Sequence, residues 1–213
     1  KLYEFAQKPG APVIGLVDCA GMRLQEATDA LNGFGQVYMA QAMASGVIPQ
    51  ITAIFGTCGG GMALIPALTD FTFMEEKKGK LFVNSPNALD GNISSKCDTA
   101  AAEFQSEETG LVDVVGSEAD ILAQIRQLVG MLPSNNEDEA YTDCTDNLNR
   151  ACPDLANCAG DTGILLSQIS DNGIVFETKR NYAKDMVTAF IRLNGATAVS
   201  YTHLRAHETL RHL

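Results

Sequence analysis

Residues Gln50-Ile-Thr-Ala-Ile-Phe-Gly-Thr-Cys-Gly-Gly-Gly61 decide how this 213-residue chain folds. The first half is a short apolar run with β-branched side chains, which is typical of a strand buried in a parallel sheet. The second half is rich in glycine, and a helical pattern follows over about 62–68. The same order of strand, turn and helix occurs earlier, at 13–17, 19–23 and about 25–44. The apolar face predicted for that helix consists of Ala27, Leu31, Phe34, Tyr38 and Ala42. Strands that alternate with helices predict an α/β fold with a parallel sheet.

The alternation continues downstream and then stops. Strands are predicted at 71–74, 81–83 and 111–115, and apolar residues at helical spacing predict a helix over 119–132. Pro133 ends this unit, and the acidic, polar stretch after it has the composition of a linker. We therefore divide the chain into a first lobe over 1–133, a linker over 134–161, the start of a second lobe over 162–198 and a tail over 199–213.

The tail over 199–213 resembles the conceptual translation of a sequencing adapter, so we exclude it from fold reasoning. It holds the three histidines of the chain, His203, His207 and His212. Residues 1–198 therefore contain no histidine. That excludes for this stretch any mechanism that needs a histidine base, such as a Ser-His-Asp triad.

Composition narrows the class of protein further. The formal net charge of −11 argues against a nucleic-acid partner, whose binding surface would be basic. Hydrophobic residues make up 46% of the chain, enough for a sizeable core, and no apolar run is long enough to span a membrane. The six cysteines form no CxxC pair and predict reduced thiols in a cytoplasmic protein rather than a disulfide framework or a metal site.

The glycine-rich end of the quoted stretch is the first candidate site. Glycines let a backbone pass close to a ligand, and the free N–H groups of a following helix attract an anion, either a phosphate or a developing oxyanion. A phosphate P-loop is excluded because Met62 follows Gly61, and a dinucleotide loop is excluded because Cys58 occupies the position of its second glycine. The alternative is a turn whose glycines only let helix and strand pack closely.

The second candidate site is Asp18-Cys-Ala-Gly-Met-Arg23, which also follows a predicted strand. Ligands of open parallel sheets bind at the carboxyl ends of the strands, so the two turns face one site if their strands are neighbours. Asp18 could instead cap the helix that follows. Cys19 and Cys58 lie in these turns, but without a histidine base we interpret them as small buried thiols.

Six segments along the chain resemble one family. The stretch Pro12-Val-Ile-Gly-Leu-Val-Asp-Cys-Ala-Gly-Met-Arg-Leu-Gln-Glu26 is similar to its PVIGL-D-S-G-G-A-R-I-Q-E motif. The others are Ala44-Ser-Gly-Val-Ile-Pro-Gln50, Phe55-Gly-Thr-Cys-Gly-Gly-Gly61, Pro66-Ala-Leu-Thr-Asp70, Asn181-Tyr-Ala-Lys184 and Phe190-Ile-Arg-Leu-Asn-Gly195. The family is the carboxyltransferase subunit of biotin-dependent acyl-CoA carboxylases and decarboxylases, within the crotonase superfamily.

This resemblance implies a fold, a reaction and a site. The fold is the crotonase-like (ClpP/crotonase) repeat of a β-β-α lobe, incomplete here, with the first elements of the first lobe and most of the second lobe missing. The enzymes move a carboxyl group between biotin and the α-carbon of an acyl-CoA through an enolate, with no side-chain base. By position, the backbone N–H of Met22 and that of Gly60 or Gly61 hold the enolate oxygen. The resemblance places the substrate beside Ala20, Gly21, Arg23 and Gly59.

The resemblance also implies cofactors and partners. Biotin is carried on a separate protein or domain, the biotin carboxyl carrier protein, and a coenzyme A thioester is the substrate. A biotin carboxylase or a membrane decarboxylase subunit is a further partner. The subunits form homo-oligomers whose active sites lie between lobes of different subunits, and the donors on the biotin side lie in the missing lobe. This fragment alone is therefore expected to be inactive.

The sequence departs from the family in ways that bear on the substrate. Small residues differ at Ala20 and Gly59, where the family often has Gly or Ser and Ala. The Gly-Gly-x-x-Thr-His segment of many propionyl-CoA members is replaced by Phe104-Gln-Ser-Glu-Glu-Thr-Gly110. A decarboxylase-type relative is therefore plausible. The acyl group stays open between the propionyl/methylmalonyl and acetyl/malonyl types.

Two other functions remain open at this point. A crotonase-type hydratase, isomerase or hydrolase would share the two turns but need an acid or base, for which Glu26 is the candidate. A non-catalytic CoA-binding subunit is the other alternative.

The basic residues near the two turns can be interpreted in two ways. Lys77, Lys78 and Lys80 could bind CoA phosphates or form a solvated turn beside acids. Arg23 could neutralise a phosphate or pair with Glu26.

Overall fold

The computed structural model describes residues 1–85, 97–152 and 155–203. Within these residues there are six α-helices and eight strands, and the strands form two sheets. The helices are α1 Leu2–Gln7, α2 Ala27–Ala44, α3 Leu64–Ala67, α4 Ala102–Glu107, α5 Glu118–Met131 and α6 Thr162–Ile169. The strands are β1 Val13–Cys19, β2 Gln50–Gly59, β3 Phe71–Glu75, β4 Lys80–Phe82, β5 Val114–Gly116, β6 Val175–Thr178, β7 Met186–Leu193 and β8 Ala196–His203. No helix in the described part of the chain is long and apolar enough to cross a membrane.

The first sheet is parallel and confirms the α/β prediction. Its strand order is β1-β2-β3-β5, and β4 pairs with the second half of β2. The register of β1 and β2 runs from Val13 opposite Gln50 to Val17 opposite Ile54. It then shifts, so that Cys19 lies opposite Cys58. The two predicted turns therefore emerge from the carboxyl ends of neighbouring strands.

Helix α5 covers one face of this sheet. Its predicted 119–132 periodicity is confirmed within one residue, and the helix begins after Ser117, whose hydroxyl accepts the Asp120 N–H at 3.3 Å. Ile121 and Leu128 are buried in one cluster with Phe73 of β3. Burying a side chain of this size stabilises the fold by about 1.5–3 kcal/mol relative to leaving it in water. The spacing of 121, 125 and 128 therefore fixes the orientation of the helix.

The second sheet is antiparallel, in the order β6-β7-β8. It packs against the first sheet through two aromatic pairs. The ring centroids of Phe73 and Phe176 are 6.3 Å apart, and those of Phe71 and Phe190 are 5.7 Å apart. The pairing of β7 with β8 continues to Met186 opposite His203. Strand β8 therefore crosses the boundary that we predicted between 198 and 199, because ladder bonds come from the backbone and need no particular side chain. Residues 204–213 of the predicted tail lie outside the described residues.

The glycine-rich stretch differs from its prediction. Strand β2 continues to Gly59, because Thr57, Cys58 and Gly59 pair with β4. The predicted helix over 62–68 is a 3-10 turn, Gly60–Ala63, followed by the single turn of α3. The anion site expected from a helix N-terminus is therefore reduced to a tight turn.

Helix α2 confirms the predicted segment but buries another stripe. Gln41 and Ala44 are buried, whereas Leu31, from the predicted apolar face, is 57% exposed. Phe34 and Tyr38 of that face are half-buried. Periodicity identifies the helix, but it does not say which stripe meets the rest of the fold, because that depends on residues far away in sequence.

Candidate functional site

The two predicted turns are in backbone contact. A methyl group built on Gly21 would lie 3.2 Å from the carbonyl oxygen of Gly59 and 3.9 Å from the Cα of Gly60. Gly21 and Gly60 have φ angles of +126° and +60°, which L-residues with a side chain rarely adopt. A methyl group on Gly59 would lie 2.9 Å from the carbonyl oxygen of Ala20. Glycine at these positions therefore allows the two turns to approach each other so closely.

Asp18 connects the two turns. Its Oδ1 accepts the Thr57 N–H at 2.9 Å, across 39 residues of sequence. The carboxylate lies over Gly56, where a methyl group would come within 2.2 Å of that oxygen. The alternative of Asp18 as a helix cap is wrong, since the N-cap of α2 is Glu26, whose side chain makes no capping bond, and Asp18 lies in β1. Sequence reasoning missed this link because it depends on the register of β1 with β2.

The peptide orientations distinguish Gly60 from Gly61. The Gly59 carbonyl points at Gly21, and the peptide bonds of the described residues are all trans. Because N–H and C=O point in opposite directions across a trans peptide, the Gly60 N–H faces away from Gly21. Gly61 lies in the first turn of the 3-10 helix, where N–H groups have no partner within the helix. This geometry favours Gly61 over Gly60, and the role of Gly61 as an oxyanion donor stays a prediction.

Met22 follows Gly21 and is half-buried. Within 1–85, 97–152 and 155–203, its N–H donates to no acceptor. An amide N–H that has no partner in a partly buried turn can donate a hydrogen bond to a ligand. The prediction of Met22 as an oxyanion donor is compatible with this geometry and stays a prediction.

Two aromatic side chains that sequence reasoning missed enclose the glycine turn. The Tyr38 hydroxyl of α2 donates to the Gly61 carbonyl, and burial raises the pKa of this hydroxyl. Phe82 of β4 lies under Gly59, since a methyl group there would be 2.8 Å from its ring. The only indication in the sequence that Tyr38 contacts other parts of the fold was its position on the predicted apolar face of α2. No local pattern indicates that this stripe meets residues 60–62.

The prediction of buried thiols holds for Cys58, whereas Cys19 is only half-buried. The Cys19 Sγ donates to the Gly21 carbonyl at 3.3 Å, and the Cys58 Sγ donates to the Met62 carbonyl at 3.4 Å. Burial, together with the nearby Cys19, raises the pKa of Cys58 to about 12. At neutral pH Cys58 is therefore protonated and a poor nucleophile. All six cysteines of the chain are free.

The basic residues near the turns form ion pairs with acidic side chains. Arg23 lies 3.5 Å from Glu26, with both side chains exposed, which matches the second of the two roles considered for Arg23. The three lysines after β3 pair likewise, Lys77 with Glu76 at 3.3 Å, Lys78 with Glu118 at 3.6 Å and Lys80 with Asp98 at 2.5 Å. The pairs of Lys77 and Lys78 are exposed, so they contribute little stability and leave the charges solvated. The pair of Lys80 with Asp98 is half-buried. The arrangement favours a solvated turn over a phosphate site.

A cavity of about 460 Å³ lies elsewhere, between α5 and the second sheet. Its lining includes the polar side chains of Asp113, Gln124, Gln127, Arg180 and Asn181. It does not adjoin the glycine turns. In the described part of the chain, no three His, Cys, Asp or Glu side chains are grouped so that they could hold a metal ion.

The fold and the two glycine-bearing turns can now be compared with known proteins. The two glycine-bearing turns lie at the ends of neighbouring parallel strands, and the structure is similar to that of transcarboxylase 12S, solved with methylmalonyl-CoA and methylmalonic acid bound, which has the crotonase-like carboxyltransferase fold. That structure superimposes with a TM-score of 0.86 at 29% identity, over 96% of this chain and 42% of the other. Residues 1–199 match the family model for the carboxyl transferase domain, and the chain belongs to this family.

Two relatives place the chain within the family. It is 37% identical over 207 residues to the methylmalonyl-CoA decarboxylase subunit alpha of Veillonella parvula. It is 35% identical over 210 residues to the propionyl-CoA carboxylase beta chain of Roseobacter denitrificans. Each alignment covers 92% of this chain and 41% of the relative. The chain thus spans about two fifths of the length of the curated relatives it matches.

Proposed function

We propose that the chain forms the acyl-CoA half of a carboxyltransferase that moves a carboxyl group between biotin and an acyl-CoA. The observation that carries the proposal is the contact between the Gly21 turn and the Gly59–Gly61 turn, with one amide on each side that has no acceptor among the described residues. Two N–H groups that converge from different strands are suited to a thioester oxygen that becomes negative. The names of the two relatives support the propionyl/methylmalonyl-CoA pair as substrates.

In the proposed mechanism, the backbone performs the electrostatic part of the reaction. The N–H groups of Met22 and Gly61 donate to the thioester oxygen and stabilise the enolate that forms when the α-carbon loses its carboxyl group or proton. Removing one such donor typically costs about 10²–10³ in rate. Biotin, when bound, supplies the carboxyl carrier and exchanges the proton. Asp18 keeps the two turns together by holding the Thr57 N–H.

The assembly is also part of the proposal. Helix α2 carries a single charged residue, Asp29, and exposes Leu31, Met39 and Met43. Exposed apolar side chains grouped on one element often mark a protein–protein interface. We propose a homo-oligomer in which a lobe of another subunit covers this face and brings the biotin carboxyl carrier protein to the site. A biotin carboxylase or a membrane decarboxylase subunit completes the complex.

The test is biotin-dependent turnover. The full-length protein with methylmalonyl-CoA and free biotin should form propionyl-CoA and release CO2, because the carboxyl group that leaves the α-carbon passes to biotin and is later lost from it as CO2, while the proton that biotin gives up goes to the α-carbon. The same mixture without biotin should show no turnover, because the leaving carboxyl group then has no acceptor. Released CO2 and the acyl-CoA product are measured together. If no acyl-CoA is turned over even with the partner subunits present, the proposal is wrong.

A charge-neutral substitution separates this function from a hydratase or isomerase. Glu26→Gln should change turnover less than about twofold, because Glu26 is exposed and paired with Arg23, and a general base would contribute about 10²–10⁴. The matched control is Glu4→Gln, which neutralises another exposed acid on α1. A large loss in Glu26→Gln alone would instead support acid–base chemistry without biotin.

A further inference from the structure

Tyr38 is the one side chain among the described residues whose hydroxyl donates to the Gly60–Ala63 turn. It reaches Gly61 from α2, across 23 residues of sequence, and its hydroxyl donates to the Gly61 carbonyl. A methyl group on Gly61 would lie 3.0 Å from that hydroxyl and 3.5 Å from the ring of Phe34. Phe34 stacks on Tyr38 with ring centroids 5.9 Å apart. The hydroxyl is therefore held in place by a neighbour one helical turn away.

Gly61 needs such a restraint. It has no side chain to limit its backbone angles, and Gly60 before it adopts φ +60°. Its carbonyl also accepts the Leu64 N–H, a backbone bond within the short helical segment. The Tyr38 bond comes from outside that segment and ties the turn to α2. The Gly61 carbonyl lies in the Gly61–Met62 peptide and the Gly61 N–H in the peptide before it, so the Tyr38 bond holds one of the two planes that meet at the Gly61 Cα. The chain on the other side is held by the pairing of Gly59 with Phe82. With both sides held, the φ and ψ angles of Gly61 vary less, and the direction of its N–H is restricted.

We propose that Tyr38 is a positioning residue, whose hydroxyl aims the Gly61 N–H at the thioester oxygen of the substrate. The inference rests on the proposed function, since it assigns Gly61 as an oxyanion donor. Preorganised donors are effective because they need no reorientation when charge develops, so a loosely held Gly61 would stabilise the enolate less. The expected effect is on the chemical step rather than on substrate binding.

The experiment compares Tyr38→Phe with Tyr3→Phe in the full-length protein. Tyr38→Phe keeps the ring and its stacking on Phe34 but removes the donor. Tyr3→Phe removes the hydroxyl of another half-buried tyrosine, which lies beside Gln41 and makes no bond to the glycine turn among the described residues. Tyr38→Phe should lower kcat about tenfold, less than the 10²–10³ typical for loss of a donor itself. Its KM should stay unchanged, and so should its affinity for CoA, which lacks the thioester oxygen. Tyr3→Phe should leave kcat unchanged.

The outcomes are distinguishable. If the wild-type protein is active and Tyr38→Phe keeps its kcat within twofold, the positioning role is overturned while the proposed function stands. If kcat, CoA affinity and thermal stability fall together in Tyr38→Phe, the hydroxyl is a structural anchor and the positioning role is again overturned. A wild-type protein without biotin-dependent turnover would overturn both proposals.

Discussion

Replacing Gly21 by alanine should lower kcat of the full-length protein by about two orders of magnitude. The added methyl group would lie 3.2 Å from the Gly59 carbonyl oxygen, and φ at this position is +126°. Relieving either conflict moves the Gly21–Met22 peptide, which carries the first proposed donor. Loss of one oxyanion donor typically costs about 10²–10³ in rate. Steady-state turnover of methylmalonyl-CoA with free biotin measures the effect.

The matched control for this variant is Gly33→Ala. Gly33 lies within α2, and a methyl group built there meets no atom within 4 Å. Alanine in the interior of a helix is more stable than glycine by about 0.5–1 kcal/mol, so this variant should melt slightly higher and keep full activity. A Gly21→Ala protein that is folded and retains wild-type kcat would show that the close approach of the two turns has no catalytic role.

Replacing Phe73 by alanine should destabilise the fold by about 3–5 kcal/mol, as is typical for a large buried aromatic residue. Phe73 is 0% exposed and lies in one cluster with Ile51, Leu128 and Phe176. Because Phe176 belongs to the second sheet, the loss also weakens the contact between the two sheets. Urea unfolding followed by far-UV circular dichroism measures the change in the free energy of unfolding.

Phe5→Ala is the control for the loss of an aromatic ring. Phe5 is 75% exposed on α1, so its removal should change the free energy of unfolding by no more than about 0.5 kcal/mol. A Phe73→Ala protein that loses less than about 1 kcal/mol would contradict the packing of β3 between α5 and the second sheet.

Local patterns predicted the elements that depend on a single stretch of chain. The apolar run at 13–17 is β1, and the helical spacing over 119–132 is α5. In each case the side-chain period and the capping or turn residues lie within about 15 residues of one another, so they can be recognised without the rest of the fold. The strand predicted at 111–115 is observed as Val114–Gly116, since the Thr72 N–H of β3 donates to the Asp113 carboxylate at 2.7 Å rather than to a backbone carbonyl.

The site itself was only partly predictable. The two turns could be chosen from their glycines and from their positions after strands, and their roles came from the resemblance to the family. Their contact, however, depends on β1 pairing with β2 in one register, with the shift that brings Cys19 opposite Cys58. Whether Gly60 or Gly61 is the better candidate donor depends on the direction of one peptide plane. The sequence leaves this direction open, because three consecutive glycines have no side chains to restrict the backbone angles.

By itself, the sequence determined the α/β class, most of the helices and strands, the absence of histidine from residues 1–198 and the two turns in which chemistry is expected. Only the tertiary structure decided that β2 runs on to Gly59, that Asp18 holds Thr57 and that Tyr38 holds Gly61. The physical reason is the separation in sequence of the residues that interact. Periodicity and turn chemistry depend on near neighbours in the chain. The Tyr38 and Asp18 bonds instead join residues that are 23 and 39 positions apart, and the end of β2 needs hydrogen-bond partners from a later strand.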